Sequence, residues 1–232
     1  MNTNVLLRDK KNKGDVLGTK SSWPKMTSFA LDWYKYVKPV DITNFKNIKN
    51  NEVQALISQI KLLGDKLPDN YPKYPNIALD IVQYKTNPEI LRLKSFEIPA
   101  NLIASNEIKY FSLLLMLTLV LSENLVHLQG VGLSAIQVGA PYQMFWAYVD
   151  KLNKWELFFN PEITPRDNVI ESKKEGCLSI VGVEVVVPRH KAVKIKYKNV
   201  FGTTNKLLLK GFDARVVQHE FDHLHGKLIV DY

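Results

Sequence analysis

The run His219-Glu220-Phe221-Asp222-His223 limits what this chain can fold into more than any other part of it. On a helix, residues four apart lie one above the other. Both imidazoles can therefore reach one metal ion, with Glu220 held beside it. The pattern predicts a helix over residues 213–225, stopped by Gly226. A catalytic metal site needs three protein ligands and an open position, so two histidines are one ligand short. His225 falls on a different face of the helix, and Asp231 lies at the far end of the sequence. The third ligand is therefore sought upstream. The candidate there is Cys177, the only cysteine in the chain, in Glu175-Gly176-Cys177-Leu178-Ser179. A thiolate is a strong ligand for Zn²⁺ or Fe²⁺, and Gly176 lets the backbone come close. Taken alone, a free cysteine is more often a small buried hydrophobe.

The rest of the chain supplies a frame for that helix. Residues 50–65 have the spacing of an amphipathic helix. Val53, Leu56, Ile57, Ile60 and Leu63 fall on one face, Asn50 or Asn51 serves as cap, and Pro68 follows as a stop. Residues 69–75 read as a linker and 77–84 as a strand. An apolar helix is expected over 106–128, too short in its apolar run for a membrane span, which needs about 20 residues. Short β-type runs follow at 144–149, 155–159, 183–187, 192–197 and 206–209. Strands followed by one helix predict an α+β domain. Before it, residues 1–25 carry Arg8 and five lysines without periodicity and are predicted to be a disordered basic tail. Residues 26–75 form an N-terminal extension with one amphipathic helix and with aromatics (Phe29, Trp33, Tyr34, Tyr36, Phe45) free to pack. A single cysteine excludes an internal disulfide. The formal charge of +8 favours RNA, ribosomes or anionic surfaces.

A third segment, Gly130-Val131-Gly132-Leu133-Ser134-Ala135-Ile136-Gln137, follows the apolar helix. By itself a glycine pair is a weak signal, compatible with a helix stop and a turn. The three segments together, in this order, resemble the signature motifs of peptide deformylases. Gly130, Gly132 and Gln137 match the first. Glu175 to Ser179 match the second in full, and Gln218 to Gly226 match the third in full. The intervals also suit that family: 40 residues from Gln137 to Cys177 and 42 from Cys177 to His219. The resemblance covers about 76–232. This chain departs from the family pattern in Ser134, where alanine is usual, and in Ile136, Gln129 and Glu184. These departures bear on substrate preference rather than on the chemistry.

The resemblance implies antiparallel sheets packed around a metal-binding helix. It implies Cys177, His219 and His223 as metal ligands, Glu220 as general base and acid, and Gln137 with the backbone N–H of Leu178 as oxyanion donors. Fe²⁺ is the expected ion, with Zn²⁺, Ni²⁺ or Co²⁺ as substitutes. The implied substrate is an N-formylmethionyl peptide, which would lie along Gly130, Val131 and Gly132, with Val131, Phe212 and Val216 as candidate pocket walls. Arg189 is expected to pair with Glu175 or Asp222 behind the ligands. The expected place is the cytoplasm of a bacterium or a phage-infected host, rather than an organelle, with contact to the ribosome through basic surface and none to a membrane. Two other classes stay open on the residues alone. One is an endopeptidase with a downstream ligand. The other is a basic RNA- or ribosome-binding protein with a degenerate core.

Overall fold

The computed structural model describes residues 33–232 apart from 36, 47, 70, 74 and 75. The basic tail, Phe29 and Tyr36 lie outside the described residues. The expected α+β fold is the one found. Helix α1 (Asn51–Gly64) starts at Asn50, whose side chain accepts the Glu52 N–H. It buries Val53, Ile57 and Ile60, the face that the periodicity marks. That face packs on α2 (Asn106–Val120), capped by Ser105 and buried on nearly all sides. The helices come close because Gly64 has no side chain. A Cβ there would sit 3.3 Å from the Tyr110 ring. Trp33 is fully buried and stacks at a tilt on Phe111, with ring centres 4.9 Å apart. The extension thus finishes a core that α2 alone would leave open. Truncating a fully buried isoleucine to alanine typically costs about 2–5 kcal/mol. Ile60→Ala is expected to lower the unfolding free energy by an amount in that range in a urea titration. A loss under about 1 kcal/mol would show that α1 rests on the domain without supporting it.

Among the described residues, three sheets frame the rest. β1 (Pro39–Asp41) pairs with β2 (Ile77–Leu79). The main sheet has the order β3-β4-β5-β8-β9 and is antiparallel throughout: β3 (Gly132–Ser134), β4 (Met144–Val149), β5 (Lys154–Pro165), β8 (Ala192–Lys198) and β9 (Thr204–Lys210). β6 (Ile170–Glu175) and β7 (Val185–His190) form a separate ribbon. The long β5 serves both halves of the main sheet. Its first half pairs with β4 and its second with β8, with the register shifting between Phe159 and Glu162. Asn160 turns the chain there with φ 46°, and its side-chain amide bonds both the N–H and the C=O of Ile98 at 2.8 Å. Helix α4 (Gly211–Leu224) lies on this sheet. Its Ala214, Val216, Val217 and Leu224 join Phe145, Phe158, Val193 and Leu209 in a second core cluster.

Several expectations from sequence need correction. The strand expected over 77–84 ends at Leu79. Beyond it, the N–H groups of Asp80, Val82 and Tyr84 go to Lys38, Gln137 and Ser179, three different segments, so no ladder continues. The helix expected over 106–128 breaks at Leu121, and a short α3 (Ser122–Val126) follows. Ser122 accepts the Gly130 N–H at 3.0 Å and so ties that break to the glycine segment. The run 155–159 extends to Pro165, because the bulge at Asn160-Pro161 removes the need for a donor at the proline. The run 183–187 begins at Val185 and continues to His190. The last helix is framed almost as expected, with His225 as its cap and Gly226 at φ 71°.

Candidate active site

Three anchors fix the phase of α4. Near its start, the Asp213 carboxylate accepts the N–H groups of Asp150 and Lys151 at 2.9 and 3.0 Å. One turn on, Gln218 pairs with His190 as a peptide would, accepting its N–H at 3.0 Å and donating to its C=O at 2.8 Å. At the far end, Gly226 lies so close under Arg92 that a Cβ would be 2.3 Å from that carbonyl oxygen. With the helix so held, His219, Glu220 and His223 face the loop that follows β6. That loop brings Cys177, with its sulfur 3.3 Å from Nε2 of His223. One ligand atom from each of Cys177, His219 and His223 lies within 4.8 Å of the others. His219 gives its Nδ1 to Glu175, at 3.0 Å from Oε2, so its Nε2 is the atom left for a metal. Burial above all pushes His223 well below the usual histidine range. One soft sulfur and two imidazoles suit a divalent transition metal such as Zn²⁺ or Fe²⁺.

Glu175 is the hub behind the ligands. Burial alone would raise its carboxyl, but hydrogen bonds from His219 and Arg189 outweigh it and hold the group at about 2. Arg189 grips both Glu175 oxygens at 3.0 and 2.9 Å and also pairs with Asp222. The expected choice between the two acids is therefore not a choice. Arg215 adds a second guanidinium to Glu175 at 2.6 Å. Tyr232 closes the far side, its hydroxyl 2.7 Å from Asp222.

Glu220 is almost fully buried, and burial pushes its carboxyl up, with His219 and the Ser134 hydroxyl pulling partly the other way. It lies against the glycine segment. A Cβ on Gly132 would be 2.6 Å from its Oε1. A Cβ on Gly130 would be 2.6 Å from the Leu178 side chain. Both glycines are thus needed for close approach inside the protein, and Gly132 belongs to a strand rather than to a helix stop. Gln137 follows in the 3-10 turn Ala135–Val138. Its Oε1 accepts the Ser134 N–H at 2.9 Å, which turns its Nε2 toward Ser179 Oγ at 3.2 Å and Cys177 Sγ at 3.7 Å.

The structure therefore gathers Gly132, Gln137, Cys177, Leu178, His219, Glu220 and His223. Of the candidate walls, Val131 and Phe212 are exposed, whereas Val216 is buried in the second core cluster. His225 bonds the Phe221 carbonyl, and Asp231 pairs with Arg92. Neither turns to the two histidines, so neither of these two residues is placed as the downstream ligand of an endopeptidase. Sequence reasoning missed Arg215 and Gln83. Arg215 had a signal, since it precedes His219 by four and shares its helix face. Gln83 donates to the Leu178 carbonyl at 3.0 Å across 95 residues, for which no local pattern exists.

Comparison with known proteins agrees with this geometry. The family model described as Polypeptide deformylase matches residues 78–232. A peptide deformylase of Thermotoga petrophila is 43% identical over 109 residues, which are 47% of this chain and 65% of that protein. The chain thus spans just under two thirds of the length of that curated relative. Among solved structures, a class I type b peptide deformylase from Acinetobacter baumannii with K1U bound superposes with a TM-score of 0.60 at 30% identity, covering 67% of this chain and 99% of that one. The same protein with Met-Ala-Ser bound gives a TM-score of 0.58 at 29% identity, covering 66% of this chain and 97% of that one.

Proposed function

The chain belongs to the polypeptide deformylase family, and from that premise we propose that it hydrolyses the N-formyl group of peptides beginning with formylmethionine, releasing formate. The observation that carries this is the convergence of Cys177, His219 and His223 around one point with Glu220 beside them but not among them. Met-Ala-Ser in the Acinetobacter baumannii relative supports a peptide with N-terminal methionine as product. A metal held by the three ligands, Fe²⁺ by preference, would bring the pKa of a water near neutrality and make it a nucleophile.

The chain's own groups do the rest. Glu220 takes a proton from the water as it attacks the formyl carbon. Gln137 Nε2 and the Leu178 N–H donate to the oxygen that gains charge. The C–N bond then breaks, and Glu220 returns its proton to the leaving nitrogen. The products are formate and a free amine. β3 is an edge strand of the main sheet, so the peptide can add beside Gly130–Gly132. We place the reaction in the cytoplasm of a bacterial or phage-infected cell. The charge of +8 suits nearness to ribosomal RNA, where the substrate emerges. No helix among the described residues is long and apolar enough to cross a membrane.

The test is formate release from formyl-Met-Ala-Ser by anaerobically purified protein, with metal content measured on the same sample. Formate at one metal per chain supports the reading. Cleavage of internal peptide bonds, or no formate from fully metallated protein, refutes it. Removing one oxyanion donor usually costs about 10²–10³ in kcat. Gln137→Ala is expected to lose activity on that scale with its metal retained. A loss below about fivefold would move the oxyanion site elsewhere.

A further inference from the structure

Ser134 touches both groups to which the proposed reaction assigns proton transfer and oxyanion binding. Its side chain donates to Glu220 Oε2 at 2.6 Å and lies 3.0 Å from the Glu220 main-chain oxygen. Its backbone N–H holds Gln137 Oε1 at 2.9 Å. The residue is fully buried, in the last position of β3, where pairing with Phe145 fixes its backbone. We propose that Ser134 is a positioning residue: its hydroxyl clamps one oxygen of Glu220 and so presents the other over Gly132, where the substrate edge runs. This rests on the role given to Glu220 above.

Three features of the geometry carry it. First, Glu220 is buried, and no other hydroxyl or N–H is seen to hold its carboxylate among the described residues. Second, the other oxygen lies against Gly132, which has no side chain: Oε1 would be 2.6 Å from a Cβ there, so only glycine leaves room for the carboxylate as Ser134 holds it. Third, a hydroxyl both donates and accepts. The clamp therefore holds Glu220 as a carboxylate and also while it carries the proton in transit.

The experiment compares Ser134→Ala with the pair Ser134→Thr and Ser134→Val, which share one shape and differ in the hydroxyl. Steady-state kinetics on formyl-Met-Ala-Ser, thermal unfolding and metal content are measured for each. A hydrogen bond to a charged group is worth roughly 10- to 100-fold in rate when lost. Ser134→Ala and Ser134→Val should lose about that much in kcat, with KM within about twofold of the parent and metal retained. Ser134→Thr should recover most of the loss. The bond from the Ser134 N–H to Gln137 Oε1 is main-chain and stays in all three variants, whereas the cap that the Ser134 side chain gives the Gln137 N–H returns only with threonine. If Ala does not fold, the Thr and Val pair still decides. Equal kcat in Thr and Val, or a change in KM as large as that in kcat, overturns the proposal. A parent protein that releases no formate sinks the functional reading itself. An active parent with an indifferent Ser134 sinks only this inference.

Discussion

Glu220→Gln is expected to lower turnover by about 10²–10⁴-fold, the range that one positioned acid-base group supplies. The substitution preserves size, and an amide can still meet the Ser134 hydroxyl. What it loses is the capacity to take a proton from water and return it to nitrogen. On the proposed reading Glu220 stands outside the cluster of Cys177, His219 and His223 that could hold the metal, so metal content should stay at the parent's level. Stability should hold or rise slightly, since a buried carboxylate is replaced by a neutral group. The check is kcat alongside metal analysis and thermal unfolding of the same preparations. A variant that loses its metal would make Glu220 a ligand. Normal turnover would put the proton traffic on another group.

Cys177→Ala should weaken metal binding by more than about 100-fold, because loss of an outer partner of a ligand already costs about 10–100-fold. The competing view is that Cys177 only packs. It is buried with Leu91, Ile180 and Val187, and alanine would serve nearly as well in that setting. The two views therefore part on metal affinity and agree on folding. Equilibration of both proteins with a graded chelator, followed by metal analysis, separates them. Retention of metal at the parent's chelator midpoint would leave His219 and His223 with a third ligand not yet named.

The segments that the candidate site gathers were legible because each is local. The helix with His219 and His223 needs only its own spacing, and Glu175–Ser179 and Gly130–Gln137 are short runs. The face of α1 was readable for the same reason. What stayed hidden depends on partners far away in sequence. β6 has a single large apolar residue, Ile170, and pairs as a solvated ribbon with no alternation to mark it. Val216 has the right helical phase for a pocket wall, but phase cannot tell a wall from a core, and packing put it in the core. Ser134 was visible as a departure from alanine, yet its partner lies 86 residues on. Arg215 shares the helix face of His219, but its partner Glu175 lies 40 residues upstream.

The packing of α4 also orders events during synthesis. The helical half, with Val53, Ile57 and Ile60 against α2, can gather as soon as its own residues are made. The β half cannot. Phe145, Phe158 and Val193 wait for Ala214, Val217 and Leu224, made at least 21 residues later. Contacts of such long range are slow to form, and half-made sheets invite association with other chains. A nascent copy therefore passes through an interval with its sheet uncovered. The element that ends that interval is the one carrying His219 and His223, so each copy closes its core in the same step that creates a place for the metal.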